Sequence, residues 1–232
     1  MGSMFSSSVF FGVVLTMLGY QIGLFLKKKF KIAILNPILI AVIFVIFVLR
    51  ILHISYENYQ EGAKYISYLL TPATVCLSIP LYQQLELLKK NYKAILGGIF
   101  AGVLSCMGSV LVFSKLFGFT KEQYITMLPK SITTAIGMGV SEELGGIVTI
   151  TVVVIILTGI CGNMIGTAVF RVFRIKHPIA QGVALGTASH AIGTARALEL
   201  GEVEGAMGGL AIAVAGIITV VTSFIFSNIY LI

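Results

Sequence analysis

The stretch ALGTASHAIGTARALELGE, residues 184–202, decides how this chain is read. It sets Thr187, Ser189, His190, Thr194, Arg196 and Glu199 among glycines and alanines, in a sequence that is elsewhere close to hydrocarbon. Of the 232 residues, 57% are hydrophobic and 11% are charged. Soluble domains carry about 25% charged residues. Uncharged runs at 1–26, 65–85, 94–114, 144–170 and 205–232, with 32–49 across Asn36-Pro37, are near or above the ~18–20 residues that cross a bilayer as a helix. The expected class is an all-α polytopic membrane protein. These runs lack the two-residue alternation of a β-barrel.

The net charge of +7 belongs to the membrane topology, not to nucleic acid. Lys27, Lys28, Lys29 and Lys31 form one cluster, Lys89, Lys90 and Lys93 a second, and Arg171, Arg174 and Lys176 a third. All three border apolar runs, where basic residues mark cytoplasmic loops. The first run precedes its basic cluster, so it reads as a membrane segment and not as a cleavable signal peptide. With the N-terminus outside, helices 5–26 and 32–50, a balanced loop 51–64, segment 65–86 kinked at Pro72 and Pro80, and helix 94–114 put the first two clusters inside. Tyr56, Tyr59, Tyr65 and Tyr68 fit an interfacial aromatic belt. Cys76, Cys106 and Cys161 all fall in apolar runs and read as small buried hydrophobes.

The third cluster reaches the inside only if 125–143, ITMLPKSITTAIGMGVSEE, enters and leaves on one side. Its uncharged core, 131–141, is too short to span, and Pro129, Gly137 and Gly139 interrupt the segment. Aligned without gaps, TTAIGMGVSEELGG (133–146) and SHAIGTARALELGE (189–202) match at six of fourteen positions, at an offset of 56. Each copy precedes one long uncharged run. A re-entrant segment plus one spanning helix is an odd number of crossings, so the second copy enters from the opposite face. The expectation is therefore about six spanning helices plus two opposed re-entrant, broken segments in an inverted repeat, an arrangement that places transporter sites near the midplane. N-terminal helices occupy 1–123, and the repeat core occupies 124–232 as 124–173 and 180–232.

Polar residues gather beside the helix breaks. Thr133 and Thr134 precede Gly137, and Ser189 and His190 precede Gly193. Broken helices offer free N–H groups and a positive end to anions, and nearby hydroxyls suit a small carboxylated solute. His190 reads as a packing histidine or as a substrate donor or proton carrier. Arg196 reads as an interfacial residue or as a guanidinium gripping a carboxylate. The candidate site is Thr133, Thr134, Ser189, His190, Thr194 and Arg196. Lys130, Asn163 and Thr187 are further wall residues, and the repeat-equivalent Glu143 and Glu199 are candidates for ion coupling. Small residues also serve helix packing, and Asn163 also fits an interhelical hydrogen bond. No nucleotide-binding, zinc or CxxC motif is present, and no cofactor, metal or enzymatic activity is expected.

The stretches PKSITTAIGMGVSEELGG (129–146) and ALGTASHAIGTARALELGEVEGAMGGLA (184–211) resemble the LrgB/CidB membrane-protein family, and the similarity extends over nearly the whole chain. The resemblance implies a holin- or antiholin-like regulator of murein hydrolase export and cell lysis, acting in the cell membrane with a smaller LrgA/CidA-type partner. Chloroplast relatives carry glycolate and glycerate, and bacterial pairs are linked to pyruvate uptake. On that basis the expected function is transport of small monocarboxylates by an oligomer in the bilayer. The alternative is a holin- or antiholin-like pore or lysis regulator.

Overall fold

The computed structural model describes residues 10–30, 35–76 and 78–230, and among these every regular element is a helix. Lys31 and the start of the first apolar run fall outside them. Eleven helices follow in order: α1 (Phe11–Phe30), α2 (Pro37–Ile51), α3 (Tyr56–Ser67), α4 (Leu70–Cys76), α5 (Ser78–Gln83), α6 (Leu85–Leu116), α7 (Lys121–Met127), α8 (Thr134–Leu144), α9 (Val148–Val172), α10 (Pro178–Leu200) and α11 (Glu202–Ile229). Three of them, α6, α9 and α11, are long and apolar enough to cross a membrane.

The chain forms two compact units that divide between Cys76 and Leu77. This differs from the sequence division at 123/124 because α6 packs on α10 and α11. In the first unit, α1 packs on α2 and α3. Gly12, Gly19 and Gly23 are buried on α1, the small-residue contact that replaces hydrophobic driving force between helices in lipid. Asn36 caps α2 by accepting from Ile38 N at 2.8 Å, and Pro37 occupies its first turn. The stretch 51–64, expected as a loop, is helical from Tyr56. Ser55 caps it, and its face is tied to α1 by the Thr16 Oγ1–Tyr59 hydroxyl hydrogen bond of 2.8 Å.

The kinked segment 65–86 resolves into the short helices α4 and α5, with Pro72 and Pro80 in their first turns, where a missing N–H costs nothing. The second basic cluster lies not in a loop but within α6. At 32 residues α6 is about 48 Å long, well beyond the ~30 Å hydrocarbon core, so its first turns carry Lys89, Lys90 and Lys93 past the apolar layer. In the second unit a core of Ile95, Ile99, Val103 and Met107 from α6, Tyr124 from α7 and Met207 and Ala211 from α11 holds the helices together. Tyr124 and Tyr230 stack at 4.3 Å between centroids, and the Tyr124 hydroxyl donates to Phe226 O at 3.0 Å.

The cysteines depart from expectation. Cys76 and Cys161 are exposed and Cys106 is half-buried, because Cys161 and Cys106 face a cavity instead of the packed core.

Candidate functional site

Although α10 runs from Pro178 to Leu200, it is not one rod. Ser189 (φ −138°, ψ 18°) and His190 (φ 42°, ψ −135°) leave helical geometry, and the chain folds back between the halves 178–188 and 191–200. In a straight helix Leu185 and Gly193 would be about 12 Å apart along the axis. Here a Cβ added at Gly193 would overlap the Leu185 carbonyl oxygen, and Leu185 and Ala197 share one buried cluster. Only glycine permits that approach.

The neighbouring helix α9 is cut to receive the break. A Cβ at Gly162 would overlap Ser189 Oγ, and one at Gly159 would stand 2.8 Å from His190 Nε2. His190 Nε2 donates to the Ile155 carbonyl oxygen at 3.0 Å, and Asn163 Nδ2 donates to Ile192 O at 3.0 Å. Side chains thus satisfy backbone carbonyls of both helices at the break.

The segment that aligns with it at an offset of 56 is also interrupted. α7 ends at Met127, residues 128–133 form turns around Pro129, and α8 begins at Thr134. Gly137, the partner of Gly193 at offset 56, would set a Cβ 3.5 Å from Pro129 O. That carbonyl again lies eight residues upstream. Both half-helices end at aligned glycines, Gly145 and Gly201. The open end of the first hairpin is closed by buried hydroxyls. Thr126 Oγ1 accepts from Ile147 N at 2.9 Å, and Thr151 Oγ1 donates to Thr126 O at 3.0 Å and accepts from Ser141 Oγ at 2.7 Å.

Both breaks open on one cavity of about 1190 Å³ walled by α6, α9 and α10. The first break contributes Lys130 and Ser131, and the second contributes Thr187 and Ser189. Most of the wall is apolar, with Asn91, Ser105, Cys106, Thr158, Cys161 and His177 as the other polar or titratable groups. Lys130 Nζ donates to Ser131 Oγ at 3.4 Å, and Ser131 Oγ lies 3.0 Å from Cys106 Sγ. Among the described residues no carboxylate lies within ion-pairing distance of Lys130. Thr187 is 5% exposed, fits over Gly102 of α6, and its hydroxyl has no hydrogen-bond partner among the described residues. Buried polar groups are normally paired, so this hydroxyl is available to a solute. A cation and an unpaired hydroxyl in an apolar wall can hold a small anion.

The candidate residues separate into three groups. Lys130, Thr187 and Ser189 line the cavity. His190, Asn163 and Thr194 lie behind it. The first two stitch the break, and Thr194 is fully buried beside Gly208 with its hydroxyl unpaired. Thr133, Thr134, Glu143 and Arg196 do not line it. Thr133 and Thr134 are half-buried at the start of α8, and Glu143 is exposed at its end. Arg196 pairs with Glu199 one turn on. Lys130 and Ser131 line this cavity together with Thr187 and Ser189, whereas Thr134 and His190 do not line it, and α9 packs on both α8 and α10. Ser131 escaped the sequence reading, although its place beside Pro129 and Lys130 was the available signal.

A model of the LrgB-like family matches residues 16–229. Antiholin-like proteins LrgB of Bacillus mycoides (strain KBAB4), Bacillus cereus (strain B4264) and Bacillus anthracis (strain CDC 684 / NRRL 3495) are each 39% identical over 213 residues, covering 91% of this chain and 93% of theirs. No solved structure matches. With the broken-helix stretches of both copies inside the matched region, this membrane protein belongs to the LrgB-like family.

Proposed function

We propose that this chain plays an antiholin-like role in the cell membrane, restraining lysis together with a smaller LrgA-like membrane partner. The observation that carries this reading is its likeness, over almost its whole length, to proteins named antiholin-like LrgB. The test is genetic. Removing the gene should raise murein hydrolase activity outside the cell and hasten lysis, and supplying it with the partner should restore both. An unchanged lysis rate would reject the role.

A second reading, transport of small monocarboxylates such as glycolate, glycerate, pyruvate or lactate, is favoured by the cavity on which both breaks open and by the ammonium of Lys130 within it, which has no carboxylate partner among the described residues. In this reading α1, α2, the α4–α5 pair, α6, α9 and α11 are the six spans. The α7–α8 and α10 hairpins re-enter from opposite faces, and the protein works as an oligomer. The shared geometry at offset 56 supports an inverted repeat. Uptake of labelled pyruvate, glycolate and glycerate by reconstituted protein, with and without the partner, distinguishes the two readings. Lysis control with no uptake leaves only the first.

A further inference from the structure

The third basic cluster builds a second, separate pocket of about 340 Å³. Arg171, Arg174 and Lys176 line it beside Phe170 at the end of α9, with Gln181 and Leu200 from the two ends of α10. A straight helix would hold Gln181 and Leu200 about 28 Å apart, so the hairpin itself creates this pocket by returning to the face it left. Among the described residues no carboxylate lines it. Cations near a helix C-terminus also complement the helix dipole. That accounts for the charge, but not for the pocket or for the backbone of Arg174.

Arg174 occupies the left-handed position (φ 56°) that follows a helix end. Its N–H donates to Arg171 O at 3.3 Å, and Ile175 N donates to Phe170 O at 2.8 Å, the paired bonds of a cap that normally carries glycine. An arginine there accepts backbone strain that glycine avoids, and its side chain lines the pocket. Gln181 Nε2 donates to Ile175 O at 2.7 Å and fixes the turn against α10. Beside the pocket, Val172 and Phe173 are 74% and 72% exposed, apolar surface suited to acyl chains. Basic pockets at the ends of membrane helices take anionic headgroups.

We infer that this pocket binds the phosphodiester headgroup of an anionic phospholipid, with its acyl chains along the Val172–Phe173 face of α9. Thr167 forms part of the pocket wall, so Thr167→Phe fills the space without changing charge.

The test uses full-length protein in nanodiscs of mixed phosphatidylcholine and phosphatidylglycerol, with retained lipid counted by native mass spectrometry. The wild type should retain phosphatidylglycerol preferentially. Arg171→Gln/Arg174→Gln/Lys176→Gln should cut that preference about a hundredfold, given the usual contribution of a basic residue near an anionic surface. Thr167→Phe should also abolish it, while Lys27→Gln/Lys28→Gln/Lys29→Gln should leave it intact. Inorganic phosphate should not displace the lipid. Undiminished preference in the folded Arg171→Gln/Arg174→Gln/Lys176→Gln or Thr167→Phe protein, equal loss in the Lys27–Lys29 variant, or displacement by phosphate alone would each overturn the inference.

Discussion

Gly137 and Gly193 hold the same place in two helical hairpins, each facing the carbonyl eight residues upstream, Pro129 in one and Leu185 in the other. The contacts differ in tightness. At Gly193 an added Cβ would overlap backbone, whereas at Gly137 the backbone oxygen would be 3.5 Å away and the overlap is with the end of the Ile155 side chain. A backbone neighbour cannot move aside and a side-chain tip can. Gly193→Ala should therefore destabilise the protein by about 1–3 kcal/mol or more, as overpacking does, and Gly137→Ala by less. Thermal unfolding of detergent-purified variants checks this. Equal losses would mean that the second hairpin is looser than it stands here.

The return of α10 predicts sidedness. In a background lacking Cys76, Cys106 and Cys161, single cysteines at Ile175 and Leu200 should react with an impermeant thiol reagent from one face only, the same face for both. The motive is that both residues line one small pocket. Labelling of Ile175 and Leu200 from opposite faces would mean that α10 crosses the membrane.

Thr187 offers a test in which stability and function move apart. Its buried hydroxyl has no partner among the described residues, so Thr187→Val removes an unsatisfied group at nearly constant volume. Melting temperature should hold or rise, because replacing an unpaired buried polar group is close to neutral or better. If the hydroxyl serves a solute, its loss should weaken apparent affinity by about 2- to 12-fold, the usual worth of one hydrogen bond. Unchanged uptake kinetics would remove Thr187 from the site.

Lys130 and Arg196 should behave differently in an uptake assay. Arg196 is partly exposed and paired with Glu199, so Arg196→Gln should cost only about 0–1 kcal/mol of stability and leave transport largely intact. Lys130 faces the cavity without a carboxylate partner among the described residues. Lys130→Gln should lower apparent affinity for an anion by about ten- to a hundredfold, the range of one hydrogen bond to a charged group. The reverse ranking, with Arg196→Gln the more damaging, would return the anion site to the guanidinium.

Asn163 is expected to hold the second break. Its amide donates to Ile192 O from α9. Asn163→Ala should lower stability by about 1–3 kcal/mol, since it would leave the Ile192 carbonyl without this bond. Increased hydrogen exchange confined to 186–196 would identify the break as the part released. A uniform increase across α9 and α11 would assign Asn163 to general packing.

Local signals determined most of the architecture. Long uncharged runs required helices in lipid, since no other open structure satisfies its own backbone there. Pro129 marked the first break and the polar cluster before Gly193 lay beside the second, and the offset of 56 linked the two stretches, because helix breakers and short repeats act through neighbours in sequence, while Gly137 and Gly193 themselves stand inside helices. The helical form of 56–67 was hidden by its mixed polarity, and became legible only with Ser55 as cap and Tyr59 bonded to Thr16. Sequence also could not choose which face of each helix meets the cavity. Lys130 and Ser131 enter it while Thr133 and Thr134 do not, since a few residues of turn after Pro129 rotate the chain away. For Arg196 the sequence allowed both an interfacial residue and an anion clamp, and the tertiary structure pairs it with Glu199 one turn on. Ser189 and His190 became the tip of a hairpin only because Gly159 and Gly162, some thirty residues earlier, leave room for them on α9. Those contacts depend on the rotation of one helix about its axis against another, a quantity set by the packing of the whole second unit.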